Sequence, residues 1–191
     1  MAILSSFEVL AEFLIPQRGV TPPPGATVPS SPFVVQAYFV QVSLPKSSTS
    51  STMTFDLNFE ETTGFKQGAG TTGLIAQIVD EKGLVSNYST FFTPPTGKGL
   101  GFNAQTISPG QTKVYSVTVL PPQPQTPSVA PSPVPQSGTG WRGIVSLNPS
   151  APNLLVVTPT QRQIYFSSSD LKTVQDSVSY SVPTASGKAI I

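Results

Sequence analysis

Apolar and polar residues alternate with a period of two along most of the chain, a pattern typical of β-strands. The clearest case is TMTFDLNFE (52–60), where Met53, Phe55, Leu57 and Phe59 alternate with polar residues. This alternation predicts an antiparallel strand with one face in the core and one in solvent.

Several other segments carry strand patterns. FVVQAYFVQVSL (33–44) is apolar on both faces at its start, which predicts a central strand. Past residue 141, RGIVSLN (142–148), NLLVVTP (153–159), RQIYFSS (162–168) and DSVSYSV (176–182) predict further strands. SSDLKTVQD (168–176), with a serine as N-cap, predicts one helical turn.

Two stretches have the pattern of a β-hairpin. GLIAQIVDEKGLVSNYSTFF (73–92) is predicted to turn at Asp80–Gly83, with Gly83 suited to a positive φ. FNAQTISPGQTKVYSVTVL (102–120) is predicted to turn at Pro109 and Gly110, a favourable pair for a type II turn.

These patterns amount to about ten strands with almost no helix signal. They predict an all-β protein, an antiparallel β-sandwich or jelly-roll-like domain over residues 1–191. No internal repeat and no second core is evident, since only about 50 residues follow Trp141.

Two proline-rich segments interrupt the strand pattern. Residues 16–32 contain six prolines, and residues 120–141 contain seven and no charge. Proline donates no backbone hydrogen bond and is excluded from central strands. We therefore expect extended arms near polyproline II, the second being an arm or a long loop that returns to the same sheets. We expect these arms to contact a neighbouring subunit through Pro22, Pro23, Pro24, Pro121, Pro122, Pro124, Pro131, Pro133 and Trp141.

The charge balance narrows the class of partner. Charged residues make up 10% of the chain, the formal net charge is +1, and the ten cations are scattered. Nucleic-acid binding requires clustered Lys and Arg, so no nucleic-acid partner is expected. A free monomer with so little charge would tend to associate, as suits a homo-oligomer or a subunit of an assembly.

Cellular location is predicted from cysteine usage and the amino-terminal pattern. The chain has no Cys, which favours folding in a reducing cytoplasm. The start MAILSSFEVLAEFLI has no basic region, and Glu8 and Glu12 interrupt its apolar run, so no signal peptide is predicted. No apolar run reaches the roughly 20 residues of a membrane span. We expect synthesis in the cytoplasm and residence in a virion or other large assembly, with a cytoplasmic protein as the alternative.

No motif predicts catalysis or a cofactor. GAGTTG (68–73) has the G-x-G-x-x-G spacing, but it is followed by a strand-like LIAQIV rather than the helix of a dinucleotide site. The absence of His excludes a Ser-His-Asp triad, and without Cys or His a zinc site is not expected. Asp56 and Glu60 share a strand face, which solvated positions explain as well as acid–base chemistry. We expect no enzyme activity, no cofactor and no metal.

One segment resembles a known family. AEFLIPQRG (11–19) is similar to the first strand of the cyanobacterial sensory-rhodopsin transducer family, and the later order of hairpin, ISPGQTKVYSV (107–117) and GIVSLN (143–148) is loosely similar too. The resemblance implies a small β-sandwich that forms oligomers. The proline-rich arm and the extra carboxy-terminal strand depart from that family's pattern, and no functional residue is carried over.

Together these observations predict a non-enzymatic structural subunit. The best fit is a virion component, such as a phage capsid decoration (cement) protein or another head or tail protein. Its partners would be copies of itself or a capsid or filament lattice protein. The alternative is an oligomeric binding or signalling module, either transducer-like or carbohydrate-binding through Trp141, Tyr88 or Tyr165.

Overall fold

A computed structural model describes residues 1–13, 24, 32–47, 51–62, 74–88, 99–119, 140–167 and 172–191. The described part of the chain contains ten β-strands and no helix. The strands are β1 (Ala2–Phe13), β2 (Phe33–Ser43), β3 (Met53–Glu61), β4 (Leu74–Val79), β5 (Val85–Tyr88), β6 (Gly99–Ile107), β7 (Thr112–Val119), β8 (Gly140–Pro149), β9 (Val156–Phe166) and β10 (Val174–Ser181).

All ten strands pair in antiparallel fashion in one hydrogen-bonded sheet. Its main path has the order β5-β4-β7-β2-β1-β8-β3-β6. Off this path, β9 pairs with β2 and with β10. Strand β9 lies along β2 from Phe33 to Ser43, so β7 and β1 share the other edge of β2. Strand β1 pairs with β2 only at its end and with β8 over Ala2–Leu10, and it therefore links two halves of the sheet.

The sheet is curled, because strands far apart on its path pack their side chains together. Tyr115 of β7 contacts both Phe55 of β3 and Phe102 of β6, with ring centroids 5.7 and 5.1 Å apart. The prediction of an all-β, antiparallel protein is confirmed. The finer prediction of a sandwich or jelly roll remains a prediction.

The core inside the curl is aromatic and aliphatic. Phe59 lies at its centre, in edge-to-face contact with Phe7, Tyr38 and Phe102. The alternation predicted for residues 52–60 is confirmed, since Met53, Phe55, Leu57 and Phe59 are all buried.

Two tyrosines place hydroxyl groups in this core. The hydroxyl groups of Tyr38 and Ser5 are hydrogen-bonded to each other. Burial raises the pKa of Tyr38 to about 12, against a smaller opposing effect of the bond to Ser5. Burial, and then the negative charge of Glu81, raise the pKa of Tyr115.

One of the two predicted hairpins is correct. β4 and β5 pair with each other, and the Gly83 amide donates to the carbonyl oxygen of Asp80 at 3.0 Å. Gly83 has φ +80°, as predicted. The Asp80 carboxylate fixes this turn by accepting from the amides of Lys82 and Leu84 at 2.9 and 2.8 Å.

The second predicted hairpin is wrong in its pairing, although its turn is correct. The Gln111 amide donates to the Ser108 carbonyl oxygen at 3.0 Å, and Gly110 has φ +82°, as a type II turn requires. Yet β6 pairs with β3, and β7 pairs with β2 and β4. The turn carries the chain across the core, where Phe102 and Tyr115 make contact through their rings instead of their backbones.

Two of the strands predicted beyond residue 141 are one strand. β9 continues through Pro159, whose carbonyl oxygen accepts from the amide of Val182. In an antiparallel ladder the N–H and C=O groups of one residue point toward the same neighbouring strand. Pro159 therefore lacks an N–H on the side of β10, at the end of that ladder, and the pairing of β9 with β2 loses no hydrogen bond. The predicted helical turn is also wrong where it is described, since Val174–Asp176 pair with β9.

Candidate interaction surface

The strand ends that flank five connections lie together at one end of the sheet. The strand ends that flank residues 14–31, 63–73, 89–98, 120–139 and 168–171 are joined by ladder pairs such as Phe33 with Phe166 and Leu74 with Val119. The opposite end holds the tight turns at 80–83 and 108–111 and the bend at 150–153. Loops gathered at one end of a β-protein are the usual place for a binding surface. We call this end the loop end.

Both proline-rich segments start and finish at the loop end. Phe13 and Phe33 lie directly opposite each other in the β1–β2 ladder, yet 19 residues connect them. Strands β7 and β1 pair with successive parts of the same edge of β2, and Val119 ends β7 where the pairing with β1 begins. Gly140 pairs with Leu10 of β1 close to that point. The strand spacing puts Val119 and Gly140 about 10 Å apart, a gap that four extended residues can bridge. Twenty residues connect them.

The predicted interface residues fall almost entirely outside the described part of the chain. This applies to Pro22, Pro23, Pro121, Pro122, Pro124, Pro131 and Pro133. Pro24 is an exposed turn residue. The backbone of Trp141 belongs to β8 and pairs with Val9, so the last two residues of segment 120–141 are in a strand.

Strand β10 lies at an edge of the sheet, with β9 between it and β2. All eight residues of β10 are exposed, and Val174, Val178 and Tyr180 keep 56%, 43% and 48% of their accessible surface. Among the described strands β10 pairs with β9 alone. Arg162 of β9 links β10 to the sheet, because it lies 4.6 Å from the ring centroid of Phe39 in β2 and donates from Nε to the hydroxyl oxygen of Ser179 at 3.2 Å.

A polar cleft of about 510 Å³ lies between β1, β8 and the β9–β10 hairpin. Arg142 and Glu8 form an ion pair on its wall, and the side chain of buried Gln161 donates to the Glu8 carbonyl oxygen at 2.6 Å. The cleft is also lined by Gln36, Gln163, Tyr180 and Val182. The buried Oε1 atom of Gln36 has no hydrogen-bond partner among the described residues.

A second, more apolar groove of about 760 Å³ lies at the opposite end of the sheet. Met1, Ile3, Ile190 and Ile191 contribute to its walls. The segment after β10 reaches this groove because the Ala185 amide donates to the Leu4 carbonyl oxygen, and residues 189–191 bond to the backbone of residues 154–157.

The carboxylates that were weighed for acid–base chemistry have structural partners or open surroundings. Asp56 accepts the amide of Ala104 at 2.8 Å and thereby supports a bulge opposite β3, while Glu60 is exposed. Within the described ranges, no three Asp or Glu side chains gather as a metal site would require. Nor does any helix there have the length and apolar character to cross a membrane.

Comparison of the chain with protein-family models, curated proteins and solved structures finds no match. The resemblance of residues 11–19 to the transducer family therefore remains a prediction. Of the residues suggested for carbohydrate binding, Tyr165 is partly buried and donates to Gln163 Oε1 at 2.7 Å. The side chains of Trp141 and Tyr88 lie outside what the structure describes.

Sequence reasoning missed the two most informative surfaces. DSVSYSV was identified as a strand, but its alternation gave no sign that the apolar face would remain exposed. The polar cleft combines Glu8, Gln36, Arg142 and Gln161, which are far apart in sequence and individually ordinary. The sequence of β10 did contain one local difference from the core strands. Its polar face is made only of small, uncharged side chains, those of Ser177, Ser179 and Ser181.

Proposed function

We propose that this protein is a non-enzymatic structural subunit of a larger assembly, and that the assembly is a virion. A phage capsid decoration protein, or another head or tail protein, fits the features best. The partners would be copies of the same chain or a lattice protein of the capsid or filament.

The observation that carries this proposal is the pairing of Phe13 with Phe33 across a 19-residue proline-rich connection. A two-residue turn would close an antiparallel pair at that position. The length of the connection is therefore not needed to close the fold, and the same holds for the twenty residues between Val119 and Gly140. Long connections that a fold does not need are usually functional.

The nature of these connections favours a protein partner. Proline-rich chain loses little conformational entropy when it binds, because its backbone is already restricted. Segment 120–141 is uncharged up to Trp141, and the whole chain has a net charge of +1. Two proline-rich connections leave the sheet at the loop end, one of them uncharged and the other with Arg18 as its one charged residue. Together they would clamp an adjoining subunit without strong electrostatic steering.

The test of the assembly role is the state of the native protein in the cells that make it. Lysate is separated on a density gradient and the fractions are probed with an antibody against this chain. We expect the protein to sediment with large particles, and we expect purified particles to contain it in a fixed ratio to their main lattice protein. A protein found only in the fractions of free 20.1 kDa chains would overturn the proposal.

The polar cleft favours a second candidate, a binding module for a neutral, hydroxyl-rich ligand such as a sugar. Amide side chains on its wall and exposed Tyr180 are groups that recognise sugars, and Gln36 Oε1, which has no hydrogen-bond partner among the described residues, would accept from a ligand hydroxyl. Titration of the purified chain with glucose, galactose and their disaccharides, followed by the NMR signals of the glutamine side-chain amides, tests it. Shifts that saturate, and that Gln36→Leu abolishes, would favour this candidate over the assembly role.

A further inference from the structure

We propose that β10 is a self-association edge, which pairs in antiparallel fashion with β10 of a second copy about a two-fold axis at Tyr180. This inference deepens the proposed assembly role, because it names one contact between copies. It does not involve the proline-rich connections, which lie elsewhere on the chain.

The exposed edge of β10 is available to pair with another strand. Strand β10 is an edge strand of the sheet that pairs only with β9 among the described strands, and each of its residues is exposed. Native proteins usually protect an open edge with Lys, Pro or a short strand. This edge is eight residues long, and Asp176 is the only charged residue in it.

The backbone determines which groups face the open edge. The Val182 amide donates to the Pro159 carbonyl oxygen across the β9–β10 ladder. In an antiparallel ladder the bonding direction alternates from residue to residue, so Tyr180 and Val178 also bond toward β9. The N–H and C=O groups of Ser177, Ser179 and Ser181 therefore point away from β9.

One of these three amides is already occupied. The Ser177 amide donates to the Oδ1 atom of its neighbour Asp176 at 2.7 Å. Ser179 and Ser181 are thus the residues whose backbone groups remain to pair with another strand. Beyond them Pro183 has no N–H, which limits the ladder at that side.

A two-fold axis at Tyr180 uses these groups and no others. Ser179 then pairs with Ser181 of the second copy, and the reverse pair forms symmetrically, with bonds from both N–H and C=O groups. On one face Tyr180 lies opposite its own copy and Val178 lies opposite Val182. Aromatic and β-branched cross-strand pairs of this kind stabilise sheets. The two Asp176 residues lie at opposite ends of the paired strands, so no like charges meet.

A second copy is therefore the occupant that the sequence of β10 fits. The match of apolar with apolar and serine with serine follows from the strand's own symmetry about Tyr180. The net charge of +1 adds little repulsion between copies. The contact buries less surface than a standard interface, which covers roughly 800 Å² per partner. We therefore expect the dimer to be weak outside the assembly.

Single cysteines test the register directly, because the chain contains no cysteine of its own. Tyr180→Cys places two sulfurs at a non-hydrogen-bonded pair with Cα atoms about 4.5 Å apart, within disulfide range. The matched control Val178→Cys places its Cα atoms about 14 Å apart, because the two residues are offset by four positions. In a glutathione redox buffer we expect at least about ten times more covalent dimer for the first variant.

Ser179→Pro is the second test, and it leaves the backbone hydrogen bonds between β10 and β9 in place. It removes an N–H that faces the open edge, and the wild-type dimer measured by sedimentation up to about 1 mM should be lost. It also removes the hydroxyl group that accepts from Arg162, so Ser179→Ala, which loses only that hydroxyl group, is its control. The unfolding midpoint of Ser179→Pro should stay near that of the wild type, which shows that the fold survives.

Three results would overturn the inference. They are equal cross-linking at positions 178 and 180, faster cross-linking at 178, and a wild-type chain that stays at 20.1 kDa throughout. Sedimentation of the native protein with particles would then leave the assembly role standing, with its contacts at the loop end. Selective cross-linking at 180 with no particle in the cell would instead support the dimer and remove the assembly role.

Discussion

Phe102 of β6 and Tyr115 of β7 pack edge to face with their ring centroids 5.1 Å apart, although β6 and β7 do not pair with each other. The contact joins β6, at one end of the strand path, to β7 near the other end. The ladder hydrogen bonds of the sheet do not connect these strands. Ring packing, the hydrogen bond that the Tyr115 hydroxyl donates to Gln105 Oε1 at 3.3 Å, and the turn at 108–111 keep the curl closed at this point.

Removal of the central ring of this core should be costly. Phe59→Ala deletes a fully buried side chain that contacts Phe7, Tyr38 and Phe102. We expect the free energy of unfolding to fall by about 3–5 kcal/mol, from lost burial and the remaining cavity. Urea unfolding followed by circular dichroism measures it. The matched control is Leu84→Ala at a side chain that is 64% exposed, where the change should stay within about 0.5 kcal/mol. Similar losses for the two variants would contradict the assigned core.

Alkaline pH should destabilise the protein through the two buried tyrosines. The folded-state pKa of Tyr38, about 12, lies above the unfolded value near 10, and the pKa of Tyr115 is also raised. The folded state therefore retains protons that the unfolded state loses. This contribution to stability is complete below pH 10 and disappears as the pH rises toward 12, with a slope of up to about 1.4 kcal/mol per pH unit for each tyrosine.

Urea unfolding at intervals between pH 9 and about pH 12 measures this slope. Tyr38→Phe removes one titrating group and leaves the ring in place, so the slope of this variant should be shallower. Its stability at pH 7 should also fall by about 1 kcal/mol, because Ser5 loses its buried hydrogen-bond partner. An unchanged slope in the variant would show that Tyr38 does not keep its proton in the folded state.

A bulge opposite β3 gives a prediction of higher stability. Ala104 has φ +52°, a conformation that costs a residue with a Cβ atom about 1 kcal/mol, and its amide donates to Asp56. Ala104→Gly should raise the free energy of unfolding by about 0.5–1 kcal/mol. Asp56→Ala should lower it by about 1–2 kcal/mol, since the amide loses its acceptor. Thermal unfolding of both variants is the measurement, and a stabilising Asp56→Ala would contradict the role given to that carboxylate.

The sequence predicted the elements of this fold better than their partners. Periodicity identified β3, because Met53 to Phe59 alternate over a half-buried surface, and local chemistry identified the turns at Gly83 and Gly110. Neither periodicity nor local chemistry identified which strands pair. The turn at Gly110 has the same sequence whether the chain folds back into a hairpin or crosses the core. β1 was also missed as the strand that links the two halves, because a strand that changes partners midway buries residues on both faces and loses its alternation.

The site was less predictable than the fold for the same reason. Prolines marked segments 16–32 and 120–141 from composition alone. What makes them informative is that Phe13 lies opposite Phe33 and that Val119 ends near Gly140, and both facts depend on long-range register. The cleft around Gln36 and Glu8 likewise exists only after five strands, β1, β2, β8, β9 and β10, come together.

Shortening of the second proline-rich connection should separate folding from assembly. Deletion of Pro121–Gln136, with a short Gly/Ser linker in its place, leaves enough chain to join Val119 to Gly140 across about 10 Å. We expect the unfolding midpoint to stay close to that of the wild type, because loop length changes stability only slowly. Incorporation into particles, measured by gradient sedimentation, should be strongly reduced.

The matched control keeps the length and changes the chemistry, with a Gly/Ser segment of equal length in place of Pro121–Gln136. A flexible segment loses more entropy on binding than a proline-rich one, so this variant should also assemble poorly while it folds normally. If it assembles as well as the wild type, the length of the connection matters and its prolines do not. If instead the deletion unfolds the domain and assembly is otherwise unaffected, the connection packs within its own subunit, and the clamp proposed for the loop end is wrong.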